Sequence, residues 1–522
     1  MRIMRQNSAE WSKMTMKTLR KQEKNQTLLR MGFALLVSFA VLAVCSKNSF
    51  LYPMNDWVDV NCFFTVGRGM THGLVPYQDL YDQKGPLLYS IYALAALISE
   101  QSFLGVFVIE TLLFALFLHV GGRLAELLSE KPCSFWLTTV GLGLGIPLSP
   151  AFSHGGSAEE FFLPVFAGAL YIVLKAMRER RPFTRSESAL LGIFASAALW
   201  TKYTFCGLFA GLAGTVLVWY LADRMGKALL HTVLWALIGT VAASLAVLSW
   251  YILNGSIGTL WQVYFVDNLT LYAQNIRGVN YADPLPNLLN NLSWSIPAAL
   301  GLAGLLITIK KTWRELLAVA FSAAALFIFT YASGRKYPYY AMVMACFAPL
   351  GFGMLFRVIP AAYSEAKAFR WSAVILAVLI AALSPVAALQ WSRNVYLMRV
   401  PKEEMPPYRF AKTIRQAKDQ TLLNYGFLDG GYYLAADSQP VTRFFCTLNN
   451  DLPEMKEEQR AAIAEGRTAF VITRGMGGKQ NQRPGRSEKE SVDMIAYRAV
   501  DTCSMVFEGF EWTYTLYERI GN

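Results

Sequence analysis

The sequence predicts an α-helical polytopic membrane protein of about eleven spans, with helices lying on the outer membrane face and a small C-terminal α/β domain outside the bilayer. Three observations lead there. Of 522 residues, 54% are hydrophobic and only 16% charged, a balance that belongs to membrane chains rather than soluble ones. Apolar runs close to the length of a bilayer crossing recur from position 28 to position 389; at about 1.5 Å per residue, some 20 helical residues cross a core of roughly 30 Å. From about Gln390 those runs stop, and residues 390–522 have ordinary soluble composition.

Residues 1–27 carry Arg2, Arg5, Lys13, Lys17, Arg20, Lys21 and Lys24, which places the N-terminus in the cytoplasm by the positive-inside rule. This polar segment is too long for the n-region of a secretory signal, so the first apolar run, 28–46, is an anchor. It delivers the first outer loop, 47–102. Within that loop, 87–99 is apolar but short of a comfortable span. A full crossing there would turn the acidic 153–160 segment inward and Arg178, Arg180, Arg181 and Arg185 outward, so 87–99 is read as a helix on the outer surface.

Spans follow at 103–121, 134–152 and 158–175. The apolar block 188–221 is broken by Thr201-Lys202-Tyr203 and reads as two short helices meeting near the outer face, with Lys202 at the apex. A span at 232–253 leads to an outer loop, 254–290, with an aromatic amphipathic piece (Trp261, Tyr264, Phe265, Tyr272). Spans at 292–309, 315–333, 338–356 and 371–389 complete the module 28–389. Lys310, Lys311, Arg314, Arg357, Lys367 and Arg370 fall in inner loops; Arg335 and Lys336 break the charge rule on the outer side. In the tail, 407–418 and 455–465 read as helices, 422–425 and 469–473 as strands, and 475–486 as a loop. No internal repeat of transporter type is visible.

The formal net charge of +12 sits mainly between apolar runs, where it sets orientation, and no nucleic-acid site is read. The seven cysteines form no CxxC pair and no zinc grouping. Most are apolar fillers; Cys446 and Cys503 fall in the tail, where a pairing needs an oxidising compartment. There is no P-loop, dinucleotide fingerprint or HExxH. Of four histidines, His72 and His154 both lie outside and are placed to meet near the acids. No metal site is read.

The chemistry concentrates in 56–86. Asp56 and Asp59 are three apart and would share one face of a helix; a carboxylate at the membrane surface serves either as a general base or as a helix cap. Arg68, Tyr77 and Tyr81 follow, and Lys84 stands where the chain re-enters apolar surroundings, suited either to a phosphate or to snorkelling toward headgroups. Lys202, inside an apolar block, calls for a cavity or a partner. Glu159 and Glu160 begin a helix, where carboxylates also suit the dipole. Arg335 and Lys336, among Tyr337, Tyr339 and Tyr340, form a cationic and aromatic rim for a phosphate, or an interfacial anchor.

An acid followed by Arg, Met and Gly (Asp59, Arg68, Met70, Gly73), then a Tyr-rich turn ending in Lys84-Gly85-Pro86, the second-loop acids and the Thr201-Lys202 break together resemble the GT-C glycosyltransferases that use polyprenyl-phosphate sugars, the group of the protein O-mannosyltransferases and aminoarabinose transferases (glycosyltransferase family 39-like). The resemblance covers roughly 28–360. It implies a GT-C-like module in the cell membrane that moves a sugar from a polyprenyl-phosphate donor to an acceptor hydroxyl of a cell-envelope glycan, lipid or protein, with inversion. Asp59 would be the catalytic carboxylate, with Glu159 the second-loop acid and Asp56 beside them. Lys84, Lys202 and Arg335 or Lys336 would face the lipid phosphate, with Tyr77, Tyr81 and Arg68 nearby. No cofactor is required, and dependence on a divalent metal stays open. Asp59 is followed by Val60 where some members carry a second acid. The tail would shape the acceptor entrance. The rival reading is a transporter of a lipid-linked sugar or envelope polymer.

Overall fold

The computed structural model describes residues 2–272, 279–364, 366–450, 452–476, 494–507 and 510–521. Among them, eight helices are long and apolar enough to cross a membrane, and the shorter apolar helices Pro86–Ile98 and Leu292–Ile307 accompany them. The chain is a multi-pass membrane protein with a small four-stranded domain at its C-terminal end.

The helices in order are α1 (Arg2–Cys45), α2 (Val58–Thr71), α3 (Pro86–Ile98), α4 (Leu104–Ser129), α5 (Ser134–Gly145), α6 (Ala158–Arg178), α7 (Arg185–Thr201), α8 (Cys206–Ala222) and α9 (Gly226–Leu253). Beyond them lie the helices Leu292–Ile307, Ile309–Tyr331 and Lys367–Trp391, and the segment Pro338–Phe347, a 3-10 helix that runs into the α-helix Ala348–Arg357. Each expected span has its helix. The 134–152 span, however, has its α-helix end at Gly145; Ile146 keeps helical dihedrals (φ −73°, ψ −51°), and Pro147 beyond it has no N–H to continue the ladder. The block 188–221 breaks at Lys202, whose backbone is extended (φ −161°, ψ 107°). Trp261–Tyr272 is π-helical.

The basic loops gather at one end of the bundle. Arg30 makes a paired ion contact with Glu126, both bonds 3.0 Å; Lys131 donates to the Phe356 carbonyl at 2.8 Å; Arg178 approaches Glu315 at 3.9 Å; Arg314 meets Asp223 at 2.6 Å. Because α1 is one continuous helix, its far end at Cys45 lies on the order of 20 Å from Arg30. That far end carries the acidic loop and the soluble domain.

In the soluble domain the strand order is β1-β2-β4-β3, with β1 (Leu422–Tyr425) parallel to β2 (Phe470–Met476), and β4 (Phe510–Arg519) antiparallel to both β2 and β3 (Tyr497–Phe507). The expected helices appear as Pro406–Ile414 and Pro453–Ala464. β3 and β4 were not anticipated. Of the loop expected at 475–486, only Gly475 and Met476 fall within the described residues, at the end of β2.

The domain docks on α2 through buried polar contacts. Thr65 donates to Asp429 at 2.6 Å. Arg68, 4% exposed, donates to the Tyr433 and Ser438 carbonyls and to Asp437 at 3.1–3.2 Å. A buried guanidinium is tolerated only when its donors find acceptors, so this side chain fixes the orientation of the domain.

Candidate active site

A cavity of about 660 Å³ lies between the first loop, the 337–339 segment and the soluble domain. Asp59, Lys84 and Asp82 line it from the first loop, and Arg474 and Trp512 from the domain. Its volume falls in the range of small-molecule sites.

Asp59 sits in the first turn of α2, where the helix dipole favours a carboxylate. The helix starts there because Asn55 accepts the Trp57 N–H at 3.0 Å and Asn61 returns bonds to the Asn55 and Trp57 carbonyls. Tyr339 donates to Asp59 at 3.2 Å, and the Lys84 ammonium stands 3.9 Å from the same carboxylate oxygen. Asp56 does not share this helix face, contrary to the spacing argument. It precedes α2, is bound by Lys47 at 2.6 Å and lies within 3.4 Å of the Tyr396 hydroxyl.

Lys84 is held by its backbone from two sides: Tyr77 donates to its carbonyl at 2.6 Å and the Tyr89 hydroxyl accepts its N–H at 2.8 Å. Tyr77 is wholly buried and takes a positive φ of 70°, strain that the surrounding contacts must offset. The next residue, Gly85, donates to the Thr201 carbonyl at 3.1 Å. A Cβ on Gly85 would lie 2.2 Å from the Trp200 carbonyl oxygen, so glycine alone lets the Lys-Gly-Pro turn press against the α7 end. The two motifs singled out in the sequence thus meet as one structure.

Lys202, at that break, pairs with Glu159 at 2.6 Å and lies 3.7 Å from the Tyr340 ring centroid. Glu159 is 2% exposed, spends its carboxylate on Lys202 and does not line the large cavity. Lys84 and Lys202 also share a smaller hollow of about 40 Å³ with Tyr203, Tyr264 and Tyr340. Lys84 therefore stands between the large cavity and this second, cationic and aromatic recess.

The remaining candidates have other positions. Glu160 accepts the Gly156 N–H at 3.0 Å behind the cavity wall. Tyr81 donates to Asp267 at 3.0 Å and accepts from Asn450 at 2.9 Å, linking the loop to the soluble domain. Lys336 is exposed and pairs with Asp283; neither it nor Arg335 lines the cavity. His72 faces Glu100 at 3.5 Å, whereas His154 stacks on Trp57 at 5.2 Å, so the two histidines keep separate company. Burial holds the His154 imidazole well below its usual range, with Lys47 and Arg393 adding to the effect. Among the described residues no group of His, Cys, Asp and Glu is arranged for a metal.

Asp82 is the residue that sequence reasoning passed over. It is 2% exposed, and one of its oxygens has no hydrogen-bond partner. Burial raises its carboxyl from 3.8 to about 6 against the opposing pull of Lys84. Its signal was only membership of the acidic loop. Arg474, Trp512, Asn449 and Leu448 likewise reach the cavity from a domain whose docking the sequence could not specify.

No family model matches this chain, and no curated protein matches it. In fold it is similar to ArnT from Cupriavidus metallidurans. The structure of that protein bound to undecaprenyl phosphate superposes with a TM-score of 0.57 at 14% identity, covering 94% of this chain and 98% of the other. Its apo structure gives a TM-score of 0.59 at 14% identity, covering 95% and 98%. Over 94–95% of its length the chain thus takes an ArnT-like fold.

Proposed function

We propose that this chain is a membrane glycosyltransferase that moves a sugar from a polyprenyl-phosphate carrier to an acceptor hydroxyl, with inversion at the anomeric carbon. The observation that carries the reading is the meeting of Asp59 and Lys84 at 3.9 Å on the wall of one cavity. The likeness to a protein crystallised with undecaprenyl phosphate supports the donor class.

In this reading Asp59 accepts the proton of the acceptor hydroxyl as that oxygen attacks the anomeric carbon, and the polyprenyl phosphate leaves from the opposite face. General-base assistance of this kind contributes about 10²–10⁴-fold. Lys84, between the two recesses, offsets the charge that grows on the departing phosphate, and Lys202 offers a second cation in the smaller one. Tyr77, Tyr89, Gly85 and Glu159 are positioning residues that fix where those two ammonium groups stand. No nucleotide enters, and no metal-assisted step is invoked. The soluble domain, through Leu428, Leu448, Asn449, Arg474 and Trp512, forms the far wall where the acceptor enters. By the positive-inside rule the basic end of the bundle faces the cytoplasm and the cavity opens on the other side of the cell membrane.

The test is release of labelled polyprenyl phosphate from a polyprenyl-phosphate hexose or pentose by purified protein supplied with an extract of envelope acceptors. Wild-type release that falls by about 10²-fold or more in Asp59→Asn, with donor lipid still bound, is the expected result. Donor binding without release across a panel of sugars and acceptors would replace this reading with the lipid-linked transporter.

A further inference from the structure

Cys62 and Cys446 are 384 positions apart, yet their sulfurs lie 3.7 Å from each other. Both are buried, at 2% and 1% exposure. Among the described residues this is the one contact between cysteine sulfurs; Cys503, the other tail cysteine, has its sulfur 3.8 Å from the Glu404 carbonyl. The sulfur that Cys446 meets is therefore that of Cys62, across the seam between α2 and the soluble domain, and not that of Cys503.

Hydrogen bonds on both sides clamp the two backbones. On α2, Thr65 and Arg68 grip Asp429 and the 433–438 turn. On the other side the Tyr81 N–H binds the Arg443 carbonyl at 2.8 Å, three residues before Cys446. Disulfides need Cα atoms within about 7 Å and side chains that face each other, and two sulfurs in van der Waals contact on clamped segments meet the second requirement already.

We infer that Cys62 and Cys446 are joined by a disulfide in the mature protein, a covalent tie between the helix that carries Asp59 and the domain that closes the cavity. The inference rests on the outward placement of the domain stated above, since such bonds persist in oxidising compartments. The oxidant is a protein disulfide of the thiol oxidoreductase class. One cysteine thiolate attacks that disulfide to give a mixed disulfide, and the second thiolate attacks the bonded cysteine sulfur. The oxidoreductase leaves as a dithiol, so two electrons and two protons pass from this chain to it. Burial raises both thiols in the folded chain and disfavours the attacking thiolate, so exchange takes place before the domain docks, and the docked bond is shielded from reduction.

The experiment uses the full chain in native membranes. Thiols are trapped with one alkylating reagent under denaturing conditions, reduced, labelled with a second reagent and located by peptide mass spectrometry. Cys62 and Cys446 should carry only the second label and appear as a linked peptide pair before reduction, while the other five cysteines carry the first. Cys446→Ser should move Cys62 to the first label. First label on both residues of the wild type, or linkage of Cys446 to Cys503, overturns the inference. A membrane-impermeant amine reagent applied to intact spheroplasts separates the causes. Free thiols in a domain labelled from outside refute the disulfide alone; free thiols in a domain shielded from the reagent refute the orientation with it. A linked pair in a protein without transferase activity leaves the disulfide standing and removes the proposed reaction.

Discussion

Lys202 carries its charge into an apolar block because Glu159 meets it at 2.6 Å and the Tyr340 ring at 3.7 Å. Removing one partner of a buried pair leaves the other charge uncompensated, at a cost of roughly 3–5 kcal/mol, whereas removing both together is often close to neutral. Glu159→Gln should therefore lower the thermal stability of the detergent-solubilised protein, and Glu159→Gln combined with Lys202→Met should recover most of it. If Lys202 meets the donor phosphate, transfer stays depressed in the double variant although the fold has returned; recovery of both would make the pair purely structural. The sequence showed that Lys202 needed a partner, and it placed Glu159 at a helix start, but it did not join them. They are 43 positions apart on different helices, and no spacing rule reaches across that distance. Asp59 and Lys84 were legible because both lie in one polar loop between apolar runs. Asp82 was not, since its burial and unsatisfied oxygen follow from packing alone.

At the scale of elements, the turn Lys84-Gly85-Pro86 is pressed against the end of α7, and that contact aligns the two cationic motifs. A Gly85→Ala side chain would meet backbone oxygens of Trp200 and Thr201 at 2.2 and 2.6 Å, and backbone cannot rotate away as a long side chain can. The turn must shift, carrying Lys84 with it. The expected result is a loss of transfer of about tenfold or more, with a misplacement near 1 Å sufficient for that, alongside a lowered melting temperature, since overpacking costs about 1–3 kcal/mol of stability. Unchanged kinetics in a stable Gly85→Ala protein would show that the contact does not set the Lys84 position. The break at Thr201-Lys202 was readable because a lysine interrupts an apolar block too long for one span. The helical face shared by Asp56 and Asp59 was a misreading of register: α2 begins only at Val58, after Asn55 has turned the chain, so the three-residue spacing crosses a helix boundary. β4 went unread although Trp512-Thr513-Tyr514-Thr515-Leu516 alternates apolar and polar residues, whereas in β3 a register shift between Ala499 and Asp501 interrupts the alternation.

At the scale of the whole molecule, two buried carboxyls lie along the seam between membrane module and soluble domain, and both are pushed up to about 6 by burial. Asp82 is faced by Lys84, which pulls the other way, and by Asp59, which adds to the rise. Asp429 is faced by Thr65, the Gly431 and Tyr432 amides and Arg68, all opposing the burial effect. Each carboxyl starts from 3.8 in the unfolded chain, so the docked state holds more protons between those values. The stabilisation is fully present below 3.8 and is lost as pH rises through 6. Docking should accordingly weaken from pH 5 to pH 7.5, by about 1–2 kcal/mol for each carboxyl. The measurement is the rate at which a protease of broad pH range cleaves the solubilised protein between bundle and domain. Cleavage should be slower at pH 5 after correction for the protease's own pH response. Asp429→Asn and Asp82→Asn should each flatten part of the profile, because an amide is neutral at both ends of the range. A profile that stays steep in both variants would move the titration to other groups. A flat profile in the wild type would mean that water reaches the seam and that the two carboxylates ionise there without cost. The proposed disulfide sits on the same seam, so the profile is best read in wild type and in Cys446→Ser together: a covalent tie limits how far the domain separates, and the pH dependence should be larger once that tie is absent.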